Sequence, residues 1–261
     1  MIAEDPHLEL RLAGSDRDLR AAQRLRYRIF VEELGGTGDL VDHSARLERD
    51  EFDAHCDHLL LIDRRRSAEA LDDVVGVYRL MPGDRAERLG RFYCDTEYDL
   101  DPLRRSGRRL LELGRSCVHE EYRGGSAVFL LWSGLADYVL SHGTELLFGV
   151  ASFHGIDTEA LAEPLACLHH NHLAPAELRV RVRPECGVRM DLIPADRIDR
   201  RAAMLAMPPL IKAYLRLGGF VGEGAWIDRA FNTTDVCLVM DTARMSARHR
   251  ELYTRRQVAV E

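Results

Sequence analysis

Residues 110–140 read LLELGRSCVHEEYRGGSAVFLLWSGLADYVL, and the order of features in this stretch decides the fold class. Leu110–Val118 has the length and apolar content of a strand. The loop Glu121-Tyr122-Arg123-Gly124-Gly125-Ser126 follows. A helix then opens near Ala127, apolar along one side through Leu130, Leu131, Leu135, Tyr138 and Val139. A strand–loop–helix joint of this kind aims several backbone N–H groups and the positive end of a helix at one point. That point suits a phosphate, and Arg123 adds a charge-assisted hydrogen bond. The spacing is neither the dinucleotide fingerprint nor the lysine-bearing P-loop. On its own, Arg-Gly-Gly also fits an ordinary tight turn.

Working outward, the strand carries Glu112 and Arg115, and charges in a central strand are costly unless paired. Gly114 between them allows a bulge that would re-aim a side chain and splay the strand. Upstream, Ser15 to Leu34 has helical spacing, with Ser15 as cap and Gly35-Gly36 as stop. Two strands, His58 to Ile62 and Val74 to Met81, predict an antiparallel hairpin. Residues 82–109 read as loop with a helical turn. Downstream come a buried strand at Leu146 to Ser152, a helical stretch at 156–172 and an edge strand at Leu178 to Val182. A helix at Pro208 to Leu217 and a strand at Thr234 to Asp241 complete the order. This is an α/β pattern of the α+β kind, with a central mixed sheet and flanking helices. The chain reads as one domain over 1–261, with 156–207 as the candidate insertion.

Composition narrows the function classes. The net charge is −7, which argues against nonspecific nucleic-acid binding. No apolar run reaches the length of a spanning helix. The start, MIAEDPHLELRLAG, lacks the apolar core of a secretory signal. The 6 cysteines are scattered, which suits reduced thiols in the cytoplasm better than a disulfide framework. His169-His170-x-His172 reads better as a solvated helix end than as a metal site, so no metal is expected. Lys212 is the single lysine, so local basic clusters are arginine: Arg64 to Arg66, Arg104-Arg105 with Arg108-Arg109, and Arg255-Arg256. The cluster at 104–109 leads into the key strand and suits an acidic partner.

Four segments carry the chemistry: Leu25 to Val31, Asp50 to Asp53, Val75 to Met81 and Glu112 to Arg115. In order and spacing they resemble the acyl-homoserine-lactone synthases, a branch of the GNAT acyltransferase superfamily. Arg26 and Phe30, Asp50 and Asp53, Arg79, and Glu112 to Arg115 match that branch's motifs, with Gly114 where it has serine. A tryptophan expected after the first helix is absent. The loop Arg123-Gly124-Gly125-Ser126-Ala127 resembles the GNAT acyl-carrier loop. A closer resemblance covers nearly the whole chain, to the bacterial L-ornithine Nα-acyltransferases, also grouped with hemolysin-like proteins. It rests on RIFVEEL at 28–34, DEFD at 50–53 with CDHLL at 56–60, ELGRSCV at 112–118, ASFHG at 151–155, PPLIK with YLRLG at 208–218, and FNTTDV at 231–236.

That resemblance implies a GNAT-like sheet, mixed and largely antiparallel, with a splayed, bulged central strand. It implies transfer of a 3-hydroxyacyl chain from acyl carrier protein to ornithine, giving lyso-ornithine lipid. The donor is the acyl-phosphopantetheine of the carrier, with no permanently bound cofactor. Val118, Tyr122, Arg123, Gly124, Gly125 and Ser126 would hold the phosphopantetheine. For the amine, a carboxylate near apolar walls can accept the proton: Glu112 first, then Asp53 or Glu51. Arg26, Arg79 and Arg115 compete for the ornithine carboxylate. Asp50 or Asp235 suits its distal ammonium, and Phe30 and His154 join the acceptor set. The expected location is cytoplasmic, with peripheral contact at the inner membrane. The alternatives are a CoA-dependent transferase on another amine and a membrane-active protein without catalysis.

Overall fold

A computed structural model describes residues 5–38, 41–123 and 126–244. The chain forms two compact units, Met1–Leu89 with Leu113–Gly143, and Gly90–Glu112 with Thr144–Glu261.

In the first unit the sheet order is β1 (Leu8–Leu12), β2 (Asp57–Asp63), β3 (Val74–Pro82) and β4 (Leu110–Val118). β4 enters this unit at Leu113. The β2–β3 hairpin is antiparallel, with His58 opposite Arg79 and a register shift after Leu61. Both strands are buried almost throughout, which accounts for a mostly apolar sequence rather than an alternating one. Helix α1 spans Asp16–Arg26, capped by Ser15, which accepts from the Asp18 N–H. Its inner face, Ala21, Ala22 and Leu25, packs with Leu60, Ile62 and Val77 of the sheet. Helix α2, Ser126–Ser141, lies close on the same sheet. A Cβ at Gly134 would come within 2.4 Å of Leu10, and one at Gly76 within 2.8 Å of Leu131. Glycine is what permits that approach.

The second unit continues from Leu110–Glu112 of β4, which pairs in parallel with Leu146–Phe148 of β5 (Leu146–His154). Helices α3 (Ala162–His172), α4 (Arg200–Ala206) and α5 (Pro209–Arg216) follow. Strands β6 (Ala225–Asp228) and β7 (Thr233–Asp241) extend the sheet, with the two-residue strands Gly187–Val188 on β6 and Phe220–Val221 on β7. β5 and β7 run antiparallel along their full length, from His154 opposite Thr233 to Leu146 opposite Asp241. The β1–β2, β2–β3, β5–β7 and β6–β7 pairs are antiparallel and the β4–β5 pair is parallel, which is the mixed, largely antiparallel class the sequence implies. No helix of the described residues is long and apolar enough to cross a membrane.

Several boundaries differ from the sequence expectation. The first helix is α-helical only to Arg26 and continues as a π-helix over Tyr27–Glu33. The change falls where Tyr27, Ile29, Phe30 and Val31 gather, residue types that lose rotamer freedom against an α turn. The distortion in β4 sits at Arg115, with φ +48, rather than at Gly114. The 156–172 helix begins only at Ala162, because Asp157 first caps a turn through the N–H groups of Glu159 and Ala160. The expected edge strand shrinks to Arg181–Val182, since a turn closed from Leu178 to Pro175 takes its start. The sequence reading passed over β1, β6 and α4. The stretch 156–207 lies in the second unit and carries α3 and α4.

Candidate active site

In the first unit, five of the predicted residues meet around a sixth that the sequence reading passed over. Arg26, on the last turn of α1, is completely buried. Its Nε donates to Glu48 and its Nη1 to Asp53 at 2.7 Å. Glu48 also accepts from Arg115 Nε at 3.0 Å, and Arg115 Nη2 donates to Asp50 at 3.2 Å. Arg79, on β3, donates from Nη1 to Asp50 at 2.5 Å and to Asp53 at 3.0 Å. The chain of contacts therefore closes: Arg26, Glu48, Arg115, Asp50, Arg79, Asp53 and back to Arg26. Three guanidiniums alternate with three carboxylates, so the ring is formally neutral.

Local structure explains how these side chains converge. The left-handed backbone at Arg115 costs about 1–2 kcal/mol for a residue with a Cβ. It turns the side chain off the regular alternation of β4 toward Glu48 and Asp50. Leu47–Glu48 forms a two-residue strand with Val41–Asp42. Asp50 caps the next turn by accepting the Phe52 N–H at 3.0 Å, and Asp53 receives Gln23 Nε2 at 2.9 Å. The Phe52 ring lies 5.7 Å from the Arg79 guanidinium, a cation–π distance. Gly114 has open space: a Cβ there would meet only the Arg79 guanidinium, Nε at 3.8 Å and Nη2 at 3.9 Å.

The electrostatics follow from this packing. Burial pushes the Glu48 carboxyl up, but Arg26 and Arg115 overcome it and hold it down at about 2. Burial likewise opposes ionisation of Asp53, and Arg26, Arg79 and Gln23 drive it well below the usual carboxylate range. A carboxylate held down in this way is a weaker proton acceptor, and Asp53 is ion-paired to Arg26 and Arg79. Arg26 Nη2 is buried without a hydrogen-bond partner. A buried unsatisfied donor costs about 1–3 kcal/mol. His58, opposite Arg79, contacts the Asp53 carbonyl through Nε2 at 3.0 Å, and burial holds it neutral by lowering its pKa.

The remaining predicted residues of this unit are separate from the ring. Phe30 is half-buried against the α1 core, and Glu51 is exposed in the Asp50–Phe52 turn. Arg123 forks onto both oxygens of Glu33 at 2.6 Å each, and its Nε donates to the Val118 carbonyl at 3.0 Å. The Tyr122 hydroxyl donates to Asp63 at 2.5 Å. Ser126 opens α2. Gly124 and Gly125 lie outside the described residues.

In the second unit, Glu112 is 5% exposed. Its two oxygens accept the backbone N–H groups of Tyr93 at 2.9 Å and Cys94 at 2.7 Å. Asp235 on β7 gathers with Glu97 and Asp228, their carboxylate oxygens all within 4.8 Å of one another. Among the described residues this is the one grouping with the spacing of a cation site, and the His169–His172 run does not form another. His154 is exposed at the end of β5.

The basic clusters turn out largely paired from within. Arg104 is bonded to Asp95, Arg105 to Asp101 and Arg108 to Asp241, while Arg109 lies 3.9 Å from Glu145. Arg64, Arg65 and Arg66 pair with Glu9, Asp63 and Asp72. Arg255 and Arg256 lie outside the described residues. Glu48 had one sequence signal: Glu48-x-Asp50 places two acids on one side of an extended segment.

The Acetyltransferase (GNAT) domain family matches residues 25–133. A protein of Rhodobacter capsulatus, the L-ornithine N(alpha)-acyltransferase, is 64% identical, over 98% of this chain and 98% of its own. Its counterpart of the same name in Brucella abortus is 44% identical, over 94% of this chain and 88% of its own. Among solved structures, BjaI, a CoA-dependent acyl-homoserine lactone synthase, superimposes with a TM-score of 0.53 at 15% identity, covering 97% of this chain and 91% of that chain. That likeness speaks to the fold.

Proposed function

The chain belongs to the L-ornithine N(alpha)-acyltransferase family, and from that premise we propose that it acylates the α-amine of ornithine. The donor is a 3-hydroxyacyl thioester on acyl carrier protein, and the product is lyso-ornithine lipid. The observation that carries this reading is 64% identity across essentially the full length of both chains. The closed ring of Arg26, Arg79 and Arg115 with Glu48, Asp50 and Asp53 supports it.

The chemistry needs a neutral amine, a polarised carbonyl and a thiol leaving group. The α-ammonium first gives a proton to a base, for which Glu112 is the proposed residue, because Asp53 is held ionised by two guanidiniums. The amine nitrogen attacks the thioester carbon directly. The tetrahedral intermediate collapses, the C–S bond breaks, and the pantetheine thiolate takes up a proton. Backbone N–H groups near Cys117 and Val118 are proposed as donors to the oxyanion, where losing one donor costs about 3 kcal/mol of barrier. Cys117 itself stays a thiol, pushed up to about 12 by burial, so an acyl-enzyme on it is not invoked. The acceptor's carboxylate is assigned to the arginines of the ring, beginning with the free Nη2 of Arg26. Asp50, within the same ring, or Asp235 is the acid proposed for the distal ammonium. Arg123, with the Gly124-Gly125 loop, is assigned to the pantetheine phosphate, displacing Glu33 when the donor binds.

The test is a donor comparison at saturating ornithine. The reading expects kcat/KM with 3-hydroxyacyl carrier protein to exceed that with the matching acyl-CoA by at least about tenfold, a gap of about 1.4 kcal/mol in transition-state binding. Equal or better use of acyl-CoA would replace the carrier protein with CoA as the donor.

A further inference from the structure

We propose that the outward face of α4 docks on an anionic lipid bilayer. α4 turns Ala203 inward at 0% exposure, and Met207 just beyond it is 1% exposed. Two of its outward residues are large and apolar: Met204 is 40% exposed and Leu205 74%. Single exposed apolar residues are ordinary, but here two adjacent ones project together and each has an arginine one turn away on the same stripe. Arg200 lies four residues before Met204, and Arg201 four before Leu205, so each pair shares a side of the helix. Lys212 adds a third cation at the end of the helix, its Nζ bonded to the Met204 carbonyl at 3.0 Å.

Charge distinguishes this face from the other basic clusters. Among the described residues neither Arg200 nor Arg201 has a carboxylate partner, whereas the arginines at 64–66 and 104–108 are tied to acids. The segment 192–216 holds Arg197, Arg200, Arg201, Lys212 and Arg216 against Asp196 and Asp199, within a chain of net charge −7. Asp199 is occupied as the cap of α4, accepting the N–H groups of Arg201 at 2.9 Å and Ala202 at 3.0 Å. Projecting apolar side chains bracketed by cations suit a bilayer, which receives them without a shaped pocket and places arginines at its anionic headgroups. Delivery of an amphiphilic product to a bilayer gives the contact its use, and that use rests on the acyl-transfer reading.

The experiment is sedimentation of the full chain with vesicles of phosphatidylglycerol and phosphatidylcholine, or of phosphatidylcholine alone. The wild type is expected to partition several-fold more onto the anionic vesicles, with the preference collapsing in high salt. The double variants Met204→Ser with Leu205→Ser, and Arg200→Gln with Arg201→Gln, are each expected to lower that partition about tenfold. Both should keep wild-type melting and wild-type turnover of a short soluble donor, because these side chains are exposed. No binding, equal binding to both vesicle types, or variants that bind as the wild type does would overturn the proposal. Variants that still bind vesicles but lose turnover only with carrier-bound donor would instead make this face a dock for an acidic protein. Sedimentation needs no turnover, so an inactive protein that sediments with anionic vesicles would sink the acyl-transfer reading alone.

Discussion

Replacing Glu48 by glutamine removes one charge from the ring and changes almost nothing in shape. Glu48 is 2% exposed, and its two oxygens accept from Arg26 and Arg115. Glutamine keeps one acceptor oxygen and turns its NH2 toward a guanidinium, which has only donors to offer. One charge-assisted hydrogen bond, about 1.5–3 kcal/mol, is therefore lost, together with the attraction to the second arginine. Protonation gives a second route to the figure. Burial raises the Glu48 carboxyl, yet its arginines bring it from 4.5 to about 2. At about 1.4 kcal/mol per tenfold, that drop corresponds to about 3 kcal/mol of stability. For a chain of this size a loss of about 3 kcal/mol lowers Tm by about 6–12 °C. The sign of the pH dependence follows from a depressed folded-state pKa. The contribution is complete above 4.5 and disappears as pH falls through about 2. Melting curves of wild type and Glu48→Gln at about pH 7, 5, 4 and 3 check both statements. The gap should be widest at the first two values and shrink at about pH 3. A variant melting within about 2 °C of the wild type at about pH 7, or a gap unchanged down to about pH 3, would refute the ring as a stabilising unit.

The remaining predictions concern single contacts. Arg79→Lys keeps the charge but loses the planar guanidinium whose Nη1 bridges Asp50 and Asp53 and which lies over Phe52, so KM for ornithine should rise at least about tenfold with KM for the donor little changed; equal effects on both would detach Arg79 from the acceptor. Arg123→Ala should raise KM for the donor and leave KM for ornithine alone, whereas Glu33→Gln, which frees Arg123, should not weaken the donor; the reverse pattern would move the phosphate elsewhere. Glu112→Gln should remove most turnover and also lower Tm by several degrees, since its amide NH2 must face the Tyr93 or Cys94 N–H; near wild-type turnover would exclude Glu112 as the base. Among the arginines before β4, Arg105 and Arg109 have the most exposed side chains, 71% and 70%. Reversing both to Glu should raise KM for acyl carrier protein several-fold at low salt, less at high salt, and leave a short acyl-pantetheine unaffected.

Much of the sheet was legible because its strands announce themselves locally. Leu110–Val118 matches the strand read from the sequence, and Val74–Pro82 and Thr233–Asp241 agree within one residue. Short, mostly apolar segments of this length, rich in β-branched residues and bounded by turn residues, read as strands. The edge strand Leu8–Leu12 was passed over because it alternates with charged Glu9 and Arg11 and borders a loop on each side. The π-helix left no period in the sequence, since its only mark is a crowd of aromatic and β-branched residues. The site divided in the same way. Arg26, Asp50, Asp53, Arg79 and Arg115 were found by motif, yet their joining into one ring needed the backbone turn at Arg115, φ +48. A left-handed arginine carries no sequence signal, whereas Gly114, which suggested a bulge, has none of the strain. Glu48 was overlooked because it follows a loop rather than a motif. The arginine clusters misled in the opposite sense. Arg104 and Arg108 read from sequence as a basic patch, but Asp95 and Asp241 neutralise them in the fold.

The acyl-transfer account turns most directly on which nitrogen is acylated, and from which donor. Purified protein should be supplied with 3-hydroxyacyl carrier protein and ornithine carrying ¹⁵N at the α position alone, and the product fragmented by mass spectrometry. The account predicts one amide per molecule, with the label inside the amide and the δ-amine still free. An unlabelled amide, acylation only when acyl-CoA replaces the carrier, or no N-acyl product from ornithine at all would contradict it.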